Sequence, residues 1–144
     1  MNFIKKQSIG FYFTVLTILA LLCSLVGYIL NCKTKYYTSF GVDNALVIFL
    51  VLSIAAEVVY LIGSNKMAGN VITDIIPVAG GVFCMLAMVA FLEVRAYSIA
   101  TILTFQNNDS NLADMKGAIV AMVFCAAAVV FSILSSFMKV VKDE

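Results

Sequence analysis

Long apolar runs alternate with short polar segments along the chain, at residues 9–30, 45–63, 75–105 and 117–138, and the charged side chains inside those runs are Glu57, Glu93 and Arg95. The runs lack both the two-residue alternation of a half-buried strand and the one-sided stripe of a soluble helix. A helix rising ~1.5 Å per residue needs roughly 20 mostly apolar residues to cross a ~30 Å hydrocarbon core, and each run reaches or approaches that length. Lipid offers the backbone no hydrogen-bond partners, so a spanning chain must be helical or a closed barrel, and these runs are too continuous for barrel strands. The pattern predicts an all-α integral membrane four-helix bundle with up-down-up-down topology. Residues 1–144 form one transmembrane domain, with helices at about 9–30, 45–63, 75–105 and 112–138.

The polar segments place the turns. Residues Asn31 to Asn44, with Tyr36, Tyr37 and Phe40, suit an outer loop at the membrane interface, where aromatic rings collect. Ser64, Asn65 and Lys66 with Gly69 and Asn70 form a helix-breaking inner turn. Asp74 then complements the positive end of the third helix, and Pro77 is expected in its first turn, where a missing N–H costs little. From Ile75 to Phe105 that helix would run roughly 46 Å, longer than the core is thick. The residues from Ala96 onward therefore project beyond the outer face, with Ser98, Thr101 and Thr104 beside Ile99, Ile102 and Leu103 as an amphipathic extension. After the polar turn Gln106 to Asn111 the chain returns alongside it, giving a small helical cap covered by the first loop.

Composition agrees: of 144 residues, 63% are apolar and 12% charged, with a mean hydropathy of +1.07. Such a chain leaves no room for a soluble domain, and the lipid bilayer is its first partner. The net charge of +1 comes from scattered basic residues, which argues against nucleic acid. Lys5, Lys6, Lys66, Lys139 and Lys142 stand against Lys33, Lys35 and Lys116 on the other side, so the cationic bias predicts cytoplasmic N- and C-termini in a multi-pass cell-membrane protein. The run from Ile9 to Leu30 exceeds the ~7–15 residues of a signal core, and no small-x-small site follows, so a retained helix is expected.

Glu57 is the sharpest functional candidate, because an ionisable group within a span is costly. It lies about 9 Å inside the inner boundary, at the depth of Tyr12 and Thr14 on the first helix, Gly80 and Gly81 on the third and Ser132 on the fourth. These residues could form one polar layer. Glu57 is either a proton- or cation-binding carboxylate or a protonated or hydroxyl-bonded group that locks helices together. Glu93 and Arg95, two residues apart and so ~200° apart on a helix, are expected to face different sides. Each should act as an outer-interface anchor, paired with outer-loop groups such as Lys33, Lys35, Asp43, Asp109 or Asp114, or with lipid headgroups.

Other chemistry has little support. Cys23, Cys84 and Cys125 lie inside apolar runs and only Cys32 nears water, with no C-x-x-C to carry thiol exchange. The chain has no His, which removes imidazole ligation and argues against haem, zinc or di-iron centres. No G-x-S-x-G, phosphate-cradling loop or Asp cluster occurs, so neither an enzyme nor a cofactor or metal is expected. Asn108-Asp109-Ser110 fits a glycosylation acceptor. Small residues, Ala79, Gly80, Gly81 and Ala87 on the third helix and Ala118, Ala121, Ala126 to Ala128, Ser132 and Ser136 on the fourth, permit close helix approach.

The stretches Ala100-Thr101-Ile102-Leu103-Thr104-Phe105, Asn111-Leu112-Ala113-Asp114-Met115 and Lys116-Gly117-Ala118-Ile119 resemble small four-helix membrane proteins of bacteria whose activity is uncharacterised. The resemblance covers the outer part of the third and fourth helices best; it implies a bacterial membrane protein and carries over no catalytic residue. Size and helix count are also similar to small multidrug transporters, fluoride channels and GtrA-like lipid-sugar carriers, but the first of these classes places its essential acid in the first helix, where this chain has no charge. The expected function is a non-enzymatic membrane subunit or scaffold, self-associating or docking another membrane protein through its small-residue faces and outer cap. The alternative is a small oligomeric transporter or channel using Glu57, and a third is a sensor holding an apolar ligand between the second and third helices.

Overall fold

A computed structural model describes residues 8–66 and 71–138. They form four α-helices, α1 (Ile9–Cys32), α2 (Asn44–Lys66), α3 (Val71–Thr104) and α4 (Asp109–Ser136), with a short 3-10 turn, Tyr37–Ser39, between α1 and α2. All four helices are long and apolar enough to cross a membrane. Lys5, Lys6, Lys139 and Lys142, and the expected turn residues Gly69 and Asn70, lie outside the described residues.

Local chemistry sets the helix ends. Asp43 Oδ1 accepts the Leu46 N–H at 2.8 Å and Asn108 Oδ1 accepts the Asn111 N–H at 2.9 Å, so an acceptor side chain caps the starts of α2 and α4. The Asn108 cap draws residues 109–111, expected in the turn, into α4. Gly41, at φ +72°, makes the left-handed bend leading from the 3-10 turn toward α2. The third helix starts earlier than Asp74 suggests, because Val71, Ile72 and Thr73 extend it by most of a turn and Thr73 packs inward. Pro77 therefore sits inside the helix instead of in its first turn, and α3 continues through it without a break for 34 residues.

α1 packs chiefly on α4, and α2 chiefly on α3; α3 also packs on α4, and the α1–α2 seam is the lightest. Along the α1–α4 seam Ser24 meets Ala121 while Asn31 meets Asp114. The main core includes Leu21 and Tyr28 of α1, Leu46 and Leu50 of α2, Cys84, Ala87 and Phe91 of α3, and Ala121, Cys125 and Ala128 of α4. The inward stripe of α4, from Ala118 to Ser135, is made of small residues. The small faces proposed for docking are thus largely used within the bundle: Gly80, Ala87, Ala118, Ala121, Ala128 and Ser132 are all buried. The outward faces carry Val, Ile and Leu, such as Leu19, Ile48, Val82 and Val123.

A second core lies past the first, where Tyr37 packs with Ile102, Met115 and Ala118, flanked by Tyr36, Ile99 and Leu112. Here the C-terminal end of α3 meets the start of α4 and the 3-10 turn packs over both. The buried positions of the extension are Ser98 and Ile102, with Arg95 just before it. Thr101 and Thr104, expected to continue the polar stripe of Ser98, instead donate to carbonyls of their own helix, Tyr97 O and Ala100 O.

Candidate functional site

A polar knot joins α2, α3 and α4. Glu57 is fully buried, and its Oε1 accepts the Ser132 hydroxyl at 3.0 Å. One turn earlier on α2, Ser53 donates to the Gly80 carbonyl at 3.0 Å. Glycine makes the space: a Cβ on Gly80 would stand 3.2 Å from Glu57 Oε1 and 3.3 Å from Ala56 Cβ, and one on Gly81 would stand 3.3 Å from Ser132 Oγ. The Ser132 carbonyl in turn accepts the hydroxyls of Ser135 and Ser136. Glu57 Oε2 is buried with no hydrogen-bond partner.

Of the layer expected from sequence, Glu57, Ser132, Gly80 and Gly81 come together. Tyr12 does not: it is 53% exposed and stacks edge-on with Phe11. Thr14 is buried, but its hydroxyl donates to Gly10 O in its own helix. Depth along a helix does not fix which side a residue faces; with Thr14 inward, Tyr12 lies ~200° away and must face outward.

The second buried charge is Arg95, and here the sequence reading needs correction. Arg95 is not an interface anchor reaching loop carboxylates or headgroups; it is fully buried. Its Nη2 donates to Cys32 Sγ at 3.0 Å, and its guanidinium carbon lies 4.1 Å from the Tyr37 ring centroid and 5.1 Å from that of Tyr28. Nε and Nη1 have no hydrogen-bond partner. Glu93 is exposed, consistent with the opposite facing of two residues so spaced.

Sequence reasoning missed Tyr28, Tyr37 and Cys32 as partners of Arg95: Tyr28 and Cys32 lie in the last turns of α1, whose facing a count of depth does not give, and Tyr37 is brought in by the fold-back of the first loop. That loop is pinned by the Asp43 N–H donating to Tyr28 Oη at 2.8 Å, the Tyr36 N–H donating to Asp114 Oδ2 at 3.0 Å, and Asn31 Nδ2 donating to Asp114 O at 2.8 Å. The available signal was an Arg one turn past Phe91 on the same helix face, with two adjacent Tyr in the loop. Comparison of the chain with family models, with curated proteins and with solved structures finds no match in any of the three.

Proposed function

We propose that this protein is a non-enzymatic, multi-pass subunit of a membrane assembly, with the bilayer as its solvent and an up-down-up-down arrangement of its four helices. The observation that carries the reading is the use of the buried acid: Glu57 is held by Ser132 across the bundle and seated against Gly80, as a tie between helices. The reversed pairing along α1 and α4, Ser24 with Ala121 and Asn31 with Asp114, supports the topology. The excess of Lys5, Lys6, Lys66, Lys139 and Lys142 supports cytoplasmic termini. A bacterial cell membrane is what the sequence resemblance of residues 100–119 implies.

Docking is assigned to the outer cap, since the small-residue faces are used internally. At roughly 51 Å α3 exceeds a ~30 Å core, and its far end leaves Tyr97, Leu103 and Phe105 exposed. Apolar groups beyond the lipid favour cover by a second copy or by another membrane protein.

A second reading rests on Glu57 Oε2, which has no partner: a small oligomeric transporter or channel with Glu57 as its coupling carboxylate. The test is native mass spectrometry of protein released gently from its own membrane, with Glu57→Gln alongside. A defined complex that survives the substitution with its stoichiometry intact is expected. A monomer under all gentle conditions overturns the subunit reading, and a homo-oligomer that assembles normally but loses ion flux in Glu57→Gln replaces it with the second.

A further inference from the structure

An arginine guanidinium buried without a counter-charge, as Arg95 is, is among the costliest features a fold can keep. The groups facing it are Tyr28 and Cys32 from α1 and Tyr37 from the 3-10 turn, with Ser98 one turn along α3 bonded to the Arg95 carbonyl and in contact with the Tyr37 hydroxyl. No carboxylate reaches the guanidinium among the described residues, and two of its nitrogens have no acceptor. The aromatic faces help by cation–π attraction but supply no lone pair to those N–H groups. The site is short of oxygen acceptors bearing negative charge, and its one other reactive atom is Cys32 Sγ.

We propose that Cys32 is a modification site, oxidised at sulfur by peroxide, with Arg95 as the positioning residue that holds the oxidised product. In the step, the Cys32 sulfur attacks one oxygen of a hydroperoxide. An S–O bond forms, the O–O bond breaks, sulfur gives up two electrons, and the departing oxygen leaves as water or alcohol, taking the thiol proton. The product is a sulfenic acid, which on losing its proton is a sulfenate. Its oxygen is an anionic acceptor delivered beside a cation whose Nε and Nη1 lack one. Arg95 also favours the attack itself, because its N–H already points at Sγ and stabilises the negative charge that gathers there as the proton leaves.

The other thiols lack this setting. Cys84 and Cys125 are buried in the main core and Cys23 faces outward from α1, and no basic side chain is in hydrogen-bonding contact with any of them among the described residues. Cys32 is buried at the end of α1, where the polar turn of Lys33 to Lys35 begins.

The full chain in gentle micelles is treated with hydrogen peroxide, sulfenic acid is trapped with a cyclic 1,3-diketone, and peptide masses give the rate at each cysteine. Cys32 is expected to be labelled roughly tenfold faster than Cys84, Cys125 or Cys23, and Arg95→Met to reduce its rate to that of the other thiols. If Arg95→Met does not fold, the ranking in the unsubstituted protein decides. The proposal is overturned if Cys23 leads, since exposure alone then governs, or if Cys32 is no faster than Cys84. It is also overturned if a folded Arg95→Met labels Cys32 at an unchanged rate.

Discussion

Gly27→Ala probes the tightest seam of the bundle. A Cβ at Gly27 would stand 3.1 Å from Ala121 Cβ and 3.6 Å from Ala121 Cα. Carbon atoms settle at about 3.5–4.0 Å, so the seam must open by a few tenths of an ångström. Neither contact is the far end of a flexible side chain, so the backbones themselves must move. The nearest casualty is the bond from the Ser24 hydroxyl to Ala121 O, one turn away at 3.0 Å, which then stretches toward 3.5 Å. Overpacking of this kind costs ~1–3 kcal/mol and the weakened hydrogen bond about 0.6 kcal/mol, against a gain of at most ~1 kcal/mol from replacing glycine in a helix. The net expectation is a loss of about 1–2 kcal/mol.

The assay is reversible unfolding in mixed micelles with an increasing fraction of denaturing detergent. Gly63→Ala serves as the internal reference, because a Cβ there meets nothing within 4 Å and keeps the propensity gain alone. The decisive measurement is the double variant Gly27→Ala with Ala121→Gly, which moves one methyl group from α4 to α1 and should recover more than half of the loss. A Gly27→Ala protein as stable as the Gly63→Ala reference, or a double variant with no recovery, would refute the close approach of α1 and α4.

Ser132→Ala removes the hydroxyl that satisfies Glu57 Oε1, leaving both carboxyl oxygens without a protein partner; a loss of about 1–3 kcal/mol is expected in the same assay. Asn108→Ala deletes the cap of α4 and should cost about 1 kcal/mol, with faster hydrogen exchange confined to residues 109–112 as the readout that separates fraying from global loosening. Tyr37→Ala uncovers Arg95 and should cost ~3–5 kcal/mol, with the Arg95 side chain becoming accessible to arginine-selective dicarbonyl reagents.

The helices were legible because the bilayer demands continuous apolar length, which any window over 45–63 or 75–105 displays. Their ends were less so, since Asn108 and Asp43 act through single hydrogen bonds that outweigh the surrounding composition. The polar knot was half legible: depth could be counted from Gly63 and Asp74, which brought Glu57, Gly80, Gly81 and Ser132 to one level. Facing could not be counted, and so Tyr12 was placed inside when it is outside. Arg95 was misread for a different reason. Its neighbours Tyr28 and Cys32 come from the end of α1 and Tyr37 from a loop whose path depends on Gly41, Asp43 and Asp114, and no period in the sequence encodes that closure.

The two buried charges pose one further question, whether they answer each other. Glu57 lies against Gly80, and Arg95 stands fifteen positions further along α3, ~22 Å at 1.5 Å per residue. At an effective dielectric near 20 the attraction over that distance is only about 0.8 kcal/mol, too little to offset burial of either group. Each charge must be satisfied where it sits, Glu57 by a hydroxyl and Arg95 by aromatic faces and a thiol. Glu57→Gln and Arg95→Met should therefore be additive in unfolding free energy to within about 0.8 kcal/mol, the direct attraction alone. Coupling above ~1 kcal/mol would mean that the ends of α3 move together. A static tie between helices has no use for such linkage, whereas a carrier that changes conformation around Glu57 requires it, so that single number discriminates between the two readings of the buried acid.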